Sequence, residues 1–263
     1  MKKAPAAGML VLGMALSPLA SAGWSMFGDA EHFRWAEQTQ PGVTETGPRF
    51  GLGLAWSQDK PAGWRFGYRG RLYFGSVDYQ GSNLFDPSLA LSGTTDYSGI
   101  VNEALLTYPL PGNALGTEFV GGLGWDYWNR QLSPDQREQY WVASLRLGLN
   151  FDRRAAQGWF GGGGLKYPFY AREDAHLSEI GFSANPLLEP KGQLSFYAEA
   201  GYRFSSRWSL SGYYDTYRFR ESDPTPLLTN PFAPPGDSCL TGCRLVQPAS
   251  RVDTLGVRLH YGF

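Results

Sequence analysis

The sequence predicts an all-β fold: a closed antiparallel transmembrane β-barrel of about 10 strands, or about 8 if the first two segments are irregular. Three observations predict it. Segments of roughly 10 residues alternate apolar with polar or small side chains along most of the chain. Beyond the amino-terminal stretch, no apolar run approaches the roughly 20 residues of a spanning helix. Aromatic residues make up 15% of the chain and glycines number 34. Without a helix, a bilayer can be crossed only by a closed barrel, because each backbone group left unpaired in hydrocarbon costs several kcal/mol. A secreted β-sandwich shares this composition and is the competing reading.

The amino terminus reads as an export signal. Lys2 and Lys3 precede an apolar stretch over 9–19, and Ala20-Ser21-Ala22 gives the small-x-small pattern of a signal-peptidase site. Cleavage after Ala22 would leave 23–263 as one barrel domain. The formal charge is −1, and losing the two lysines makes it more negative, which offers nucleic acid no footing.

The strands follow in order. The first segment runs over 32–40, where Phe33 and Trp35 alternate outward against lumenal His32 and Arg34, with Glu37 awkwardly outward. Phe50, Leu52, Leu54 and Trp56 alternate with Gly51 and Gly53. Phe66, Tyr68, Leu72 and Phe74 alternate with Arg65, Arg69 and Arg71. Ile100, Ala104, Leu106 and Tyr108 oppose Val101, Glu103 and Thr107, which turns Asn102 toward lipid, a poor fit. Phe119, Leu123, Trp125 and Tyr127 oppose Glu118, Asp126 and Arg130.

The second half repeats the pattern. Trp141, Leu145, Leu147, Leu149 and Phe151 oppose Tyr140, Ser144, Arg146 and Asn150. Trp159, Leu165, Tyr167 and Phe169 oppose Phe160, Gly162, Gly164 and Lys166. Phe196, Ala198, Ala200 and Tyr202 oppose Tyr197, Glu199 and Arg203. Trp208, Leu210 and Tyr214 oppose Ser209, Ser211, Tyr213 and Asp215. Short turns are expected at 57–63, 109–116, 152–158 and 205–207. Outer connections are expected at 41–47, 80–96, 132–138, 172–192 and 220–251. Aromatic residues at the short-turn ends of strands form the girdle expected at a membrane interface.

This parity points charge inward. Arg34, Arg65, Arg69, Arg71, Arg130, Arg146, Lys166, Arg203 and Arg258 outnumber Glu103, Glu118, Asp126, Glu199 and Asp215. A barrel of this size is about wide enough for side chains to fill. The expectation is an ion-pair network that plugs the lumen, since buried charges must be paired. An anion-preferring narrow pore is the rival, given the surplus of bases. Lumenal Gly51, Gly53, Gly122, Gly124, Gly162 and Gly164 either leave space or make room for side chains opposite.

The last strand carries the sharpest signature. Leu255, Val257, Leu259, Tyr261 and Phe263 share one face, against Thr254, Gly256, Arg258, His260 and Gly262. This pattern resembles the closing strand of Gram-negative outer-membrane β-barrels. The resemblance implies an outer-membrane location among its lipids, and an assembly signal in Leu259, Tyr261 and Phe263 read by the barrel-assembly machinery. It implies no cofactor.

Candidate chemistry is sparse. His176-x-Ser178 resembles the His-x-Ser of outer-membrane lipid A deacylases, which implies His176 as base and Ser178 as nucleophile of a lipid A-modifying hydrolase. In that family the segment lies on a strand and Asn follows the Ser, whereas Glu179 follows here. The glycine run at 161–164 lacks the Gly-Lys-Ser/Thr of a phosphate loop. Cys239 and Cys243 lack the histidines of a metal site and are expected to form a disulfide in an oxidising compartment. The leading reading is a non-enzymatic envelope protein with a structural, surface-binding or narrow-channel role. Its loops 172–192 and 220–251 are the places for a surface ligand or protein.

Overall fold

The computed structural model describes residues 22–59, 62–83, 88–111, 115–153 and 156–263. The export signal expected over 1–22 lies, all but Ala22, outside the described residues. The strands are β1 (Ala22–Glu37), β2 (Val43–Gln58), β3 (Arg65–Ser82), β4 (Ala90–Pro109), β5 (Thr117–Ser133), β6 (Gln136–Asp152) and β7 (Gly158–Asp174). They continue as β8 (Leu187–Leu188), β9 (Lys191–Gln193), β10 (Ser195–Arg203), β11 (Trp208–Arg220) and β12 (Ser250–Gly262).

Sequential strands pair antiparallel from β1 to β7, β7 pairs with β10, and β10, β11 and β12 follow in turn. β12 returns to β1, with Phe27 opposite His260 and Trp35 opposite Val252, and so closes the ring. The fold is a closed antiparallel barrel of 10 strands, and β8 and β9 are short additions on β7 and β11. The closed ring leaves no long edge exposed.

The outward face is an apolar belt, with Leu52, Leu72, Leu123, Leu147, Leu210, Leu255 and Val257 all exposed. Aromatic rings edge it at the short-turn end, where Trp64 meets Tyr108 at 4.9 Å and Trp208 meets Tyr261 at 4.8 Å between centroids. At the long-loop end the belt stops near Phe50, Phe74, Trp125, Phe169, Phe196 and Leu255. Beyond that line the outward positions turn polar: Thr46, Asp78, Asp96, Asn129, Gln139, Arg172 and Arg218. Asn102 does lie within the belt, and Tyr68 Oη donates to its Oδ1 at 2.7 Å. The misfit residue thus has a partner on the neighbouring strand.

Two expectations fail at the long-loop end. Most of the long strands overrun the expected 10 residues, so β3 and β4 absorb much of the connection expected over 80–96. The first strand is Ala22–Glu37, and its parity is the reverse of the expected one. Phe33 and Trp35 are buried inside, while His32 and Arg34 face outward. Register sets this: Trp35 stands opposite Val252 and Phe33 opposite Thr254, both lumenal positions of β12. Arg34 therefore leaves the lumenal charge set.

One irregularity shapes the wall. Ala143 pairs with Tyr170 but Ser144 pairs with Pro168, so Phe169 is the extra residue of a bulge. A proline is tolerated at such a break because it has no N–H to give the ladder. There the backbone of β9 comes close, and a Cβ on Gly192 would stand 1.6 Å from the Pro168 carbonyl oxygen. Only glycine fits that approach.

Candidate functional site

The lumen is built in layers by the inward positions of the strands. Nearest the short turns, Arg203 pairs with Asp152 at 2.7 Å, and Arg65 pairs with Glu118. In the middle, Arg71 reaches Asp29 at 2.6 Å and Glu31 at 2.8 Å, and Arg258 reaches Asp29 at 3.2 Å. Arg49 holds Glu31 at 2.6 Å, and Tyr213 donates to the same carboxylate at 2.6 Å. Arg69 pairs with Glu103 directly opposite on β4 at 2.5 Å, and across the lumen it approaches Glu199 of β10 at 3.5 Å. Arg146 shares Glu103, Lys166 pairs with Asp215, and Tyr217 donates to Asp126. His260 lies 3.6 Å from Glu199.

Aromatic faces cover several of these cations. Arg146 lies 3.8 Å from the Tyr197 centroid, Lys166 3.4 Å from Tyr217 and Arg258 4.2 Å from Tyr213. Such cation–π contacts gain strength when water is excluded. A cavity of about 190 Å³ remains among these groups, with Trp128 and Tyr197 in its lining.

The glycines in the wall make room for neighbours. A Cβ on Gly51 would stand 2.4 Å from Arg71 Nε, and one on Gly162 would stand 2.0 Å from Asn150 Oδ1. Glycine on one strand is what lets a long side chain from the next lie flat across it.

Toward the long-loop end the filling turns apolar. Phe33, Trp35, Val77, Tyr97, Trp128, Tyr140, Val142, Tyr217, Phe219 and Val252 form one buried cluster inside the barrel. Trp128 and Tyr140 stack with centroids 5.0 Å apart. Set in it is Arg130, which reaches Glu138 at 2.6 Å, Glu45 at 2.8 Å and Glu37 at 3.2 Å. Tyr97 and Thr95 both donate to Glu45.

Above lies a cap made by 175–194 and 221–249. Leu177, Phe182, Leu188, Leu228, Ala233 and Cys239 form its own small core. Leu228 and Cys243 exchange backbone hydrogen bonds of 2.8 Å, and Cys239–Cys243 is a disulfide. Asn230, fully buried, donates from Nδ2 to the Ile180 carbonyl at 3.1 Å and so joins the two segments. Gln247 fastens the cap to the wall, its amide donating to Glu173 at 2.9 Å in the orientation that satisfies both groups. Burial, reinforced by the charge of Glu138, pushes the Glu173 carboxyl well above the usual carboxylate range. Burial also raises Glu138, against the pull of Arg130.

His176 and Ser178 sit in this cap, on the turn Leu177–Ile180 and its leading residue rather than on a strand. The His176 ring lies 3.5 Å from Glu179 and 3.8 Å from Asp174. Among the described residues no hydrogen bond joins it to Ser178, whose backbone amide donates to Asn185.

Sequence reasoning missed Asp29, Glu31, Glu45, Arg49, Glu138 and Glu173. The acids among them, with Arg34 outside the lumen, offset the expected surplus of lumenal bases even when Arg49 is counted, and with it goes the basis for an anion-preferring pore. The signal for the first two was present: Phe27, Asp29, Glu31, Phe33 and Trp35 share one parity from the start of β1.

No family model matches the chain, and no curated protein matches it in sequence. Solved structures do. The outer membrane protease OmpT from Escherichia coli superposes with a TM-score of 0.50 at 11% identity, covering 92% of this chain and 96% of its own. The fold is that of a Gram-negative outer-membrane β-barrel. The transport unit of the autotransporter AIDA-I from Escherichia coli gives 0.43 at 11% identity, covering 97% and 94%. The outer membrane protein OprG from Pseudomonas aeruginosa gives 0.39 at 15% identity, covering 93% and 96%. At such identities the likeness is one of fold.

Proposed function

We propose that this chain is a non-enzymatic outer-membrane barrel with a plugged lumen, which holds a rigid cap at the cell surface for binding. The long-loop end faces outward and the short turns face the periplasm, as barrels of this kind place them. Residues 1–22 act as the export signal. The last strand, with Leu259, Tyr261 and Phe263, offers the assembly machinery its signal. The carrying observation is the filling of the lumen: paired charges in the middle, then the aromatic cluster around Trp128 and Tyr140, then the cap. An open barrel would spend no aromatic core on its axis. The cap loops, 172–192 and 220–251, are the surface offered to a partner.

Planar-bilayer recording on refolded protein tests the reading. Wild type should carry no steady current, and removing Trp128, Tyr140 and Tyr217 together should admit leak. Steady current through wild type would replace the plug with a narrow solute channel.

A further inference from the structure

On one side of the barrel the polar collar above the belt is crowded with cations. In β11 and β12, Arg218 and Arg251 stand directly opposite each other, and in β9 and β11 Lys191 stands opposite Arg220. Arg34 of β1 completes the group from the next strand, opposite Asp253. Like charges set directly across a ladder are destabilising, yet here two such pairs lie on neighbouring rungs. The nearby acids offset only part of this: Asp253 holds Arg251 at 2.6 Å and Asp223 holds Lys191 at 2.6 Å. Arg34, Arg218 and Arg220 carry no ion pair among the described residues. Arg218 lies 5.9 Å from the lipid-facing Phe196 ring, and its Nε is buried without a hydrogen-bond partner.

Height and asymmetry give the patch its meaning. Arg251 is four residues beyond Leu255, the last apolar side chain of β12 on the belt. That is about 9 Å of height on a tilted strand, close to the headgroup layer of roughly 5–8 Å. Going round the ring from β1, the same collar turns neutral and then acidic, with Thr46 beside Arg34, then Asp78 and Asp96, then neutral Asn129. A uniform collar of cations would suit any anionic surface. A one-sided one marks a seat.

We infer that the outward face of β9, β11, β12 and β1, centred on Arg218 and Arg251, binds the phosphate groups of a phosphorylated lipid of the surrounding outer leaflet. The phosphate oxygens take the guanidinium donors that the chain leaves unpaired, and relieve the cross-strand repulsion. The acyl chains lie along Phe196, Leu255 and Val257 below. The inference rests on the orientation proposed above, but its binding test in detergent does not depend on whether the lumen conducts.

Refolded protein in mild detergent is offered a bisphosphorylated lipid A-type glycolipid, its dephosphorylated form, or inorganic phosphate, and bound species are read by native mass spectrometry. The bisphosphorylated lipid should be retained and the other two should not. Arg218→Gln with Arg251→Gln should weaken retention roughly 30-fold, from about 1 kcal/mol for each cation near a lipid surface. Asp78→Asn with Asp96→Asn in the acidic part of the collar should leave it unchanged. If the first double variant fails to fold, judged by heat-modifiable gel migration, Arg34→Gln with Arg220→Gln serves in its place. Equal retention by wild type and arginine variant, indifference to the lipid's phosphates, or equally tight inorganic phosphate would each overturn the inference.

Discussion

Arg49 grips Glu31 through two nitrogens, Nε at 2.7 Å and Nη2 at 2.6 Å, while its guanidinium carbon lies 3.8 Å from the centre of the Phe33 ring. The two residues stand directly opposite on β1 and β2, where the ion-pair layer of the lumen meets the aromatic layer. One side chain thus joins both fillings. A buried guanidinium suits this place because it is weakly hydrated, forks onto a carboxylate and stacks on a ring.

Removing Glu31 should therefore be costly. Glu31→Ala leaves Arg49 and Arg71 short of a carboxylate in a site with almost no exposure. Losing one partner of a buried pair costs about 3–5 kcal/mol. Arg137→Ala breaks the half-exposed pair with Glu179 and should cost under about 1 kcal/mol. Urea unfolding of the refolded variants measures both, and equal midpoints would contradict a tightly filled lumen.

Asn102 gives a contrast on the lipid face. Tyr68→Phe removes the hydroxyl that donates to it and leaves an amide short of a partner against hydrocarbon, at a cost of about 1–3 kcal/mol. Asn102→Leu combined with Tyr68→Phe removes both halves of the bond and should be neutral or stabilising. The order of the two unfolding midpoints is the measurement, and the reverse order would show that the pair is not shielded from water.

The seam between cap and wall should respond to pH. Glu173 and Glu138 have raised values in the folded protein, so the fold takes up protons there that the unfolded chain gives away. The seam is then fully stable below the ordinary carboxylate range, and stability is lost as pH rises through the raised folded values. Hydrogen exchange over 222–247, corrected for intrinsic rates, should quicken across that rise. Glu173→Gln should flatten the profile, while a seam that tightens as pH rises would contradict the burial of this pair.

The disulfide acts locally. Cys239→Ser with Cys243→Ser opens a ring of few residues, worth about 2 kcal/mol of chain restriction at most. Exchange in the cap should rise while the unfolding midpoint of the barrel stays put. A drop in that midpoint would mean that the cap supports the wall.

The fold was legible because alternation is a period-two signal that lipid enforces on every strand. It failed where lipid ends. Above the belt, outward residues such as Asp78, Thr46 and Arg218 are polar, so apolar side chains mark the inside instead, and the parity that alternation assigns to Phe33 and Trp35 is reversed. Glu45 lies in the connection expected over 41–47 and Arg49 just ahead of the expected strand, so neither is counted inward, although both share the parity of Gly51 and Gly53. The cap was legible as two loops with a pair of cysteines; that they pack on each other through Leu177, Phe182 and Leu228 depends on contacts that no local pattern encodes.

The pairing of charges inside the barrel also bears on how it meets an electric field. A potential across a membrane does work only on charge that moves, about 2.3 kcal/mol for each elementary charge carried through 100 mV. Arg71, Arg130, Arg146 and Arg258 are each fixed between carboxylates or rings on different strands. Shifting one of them along the axis means leaving an acid behind. Among the described residues the interior is thus rich in charge and poor in charge that a voltage could displace.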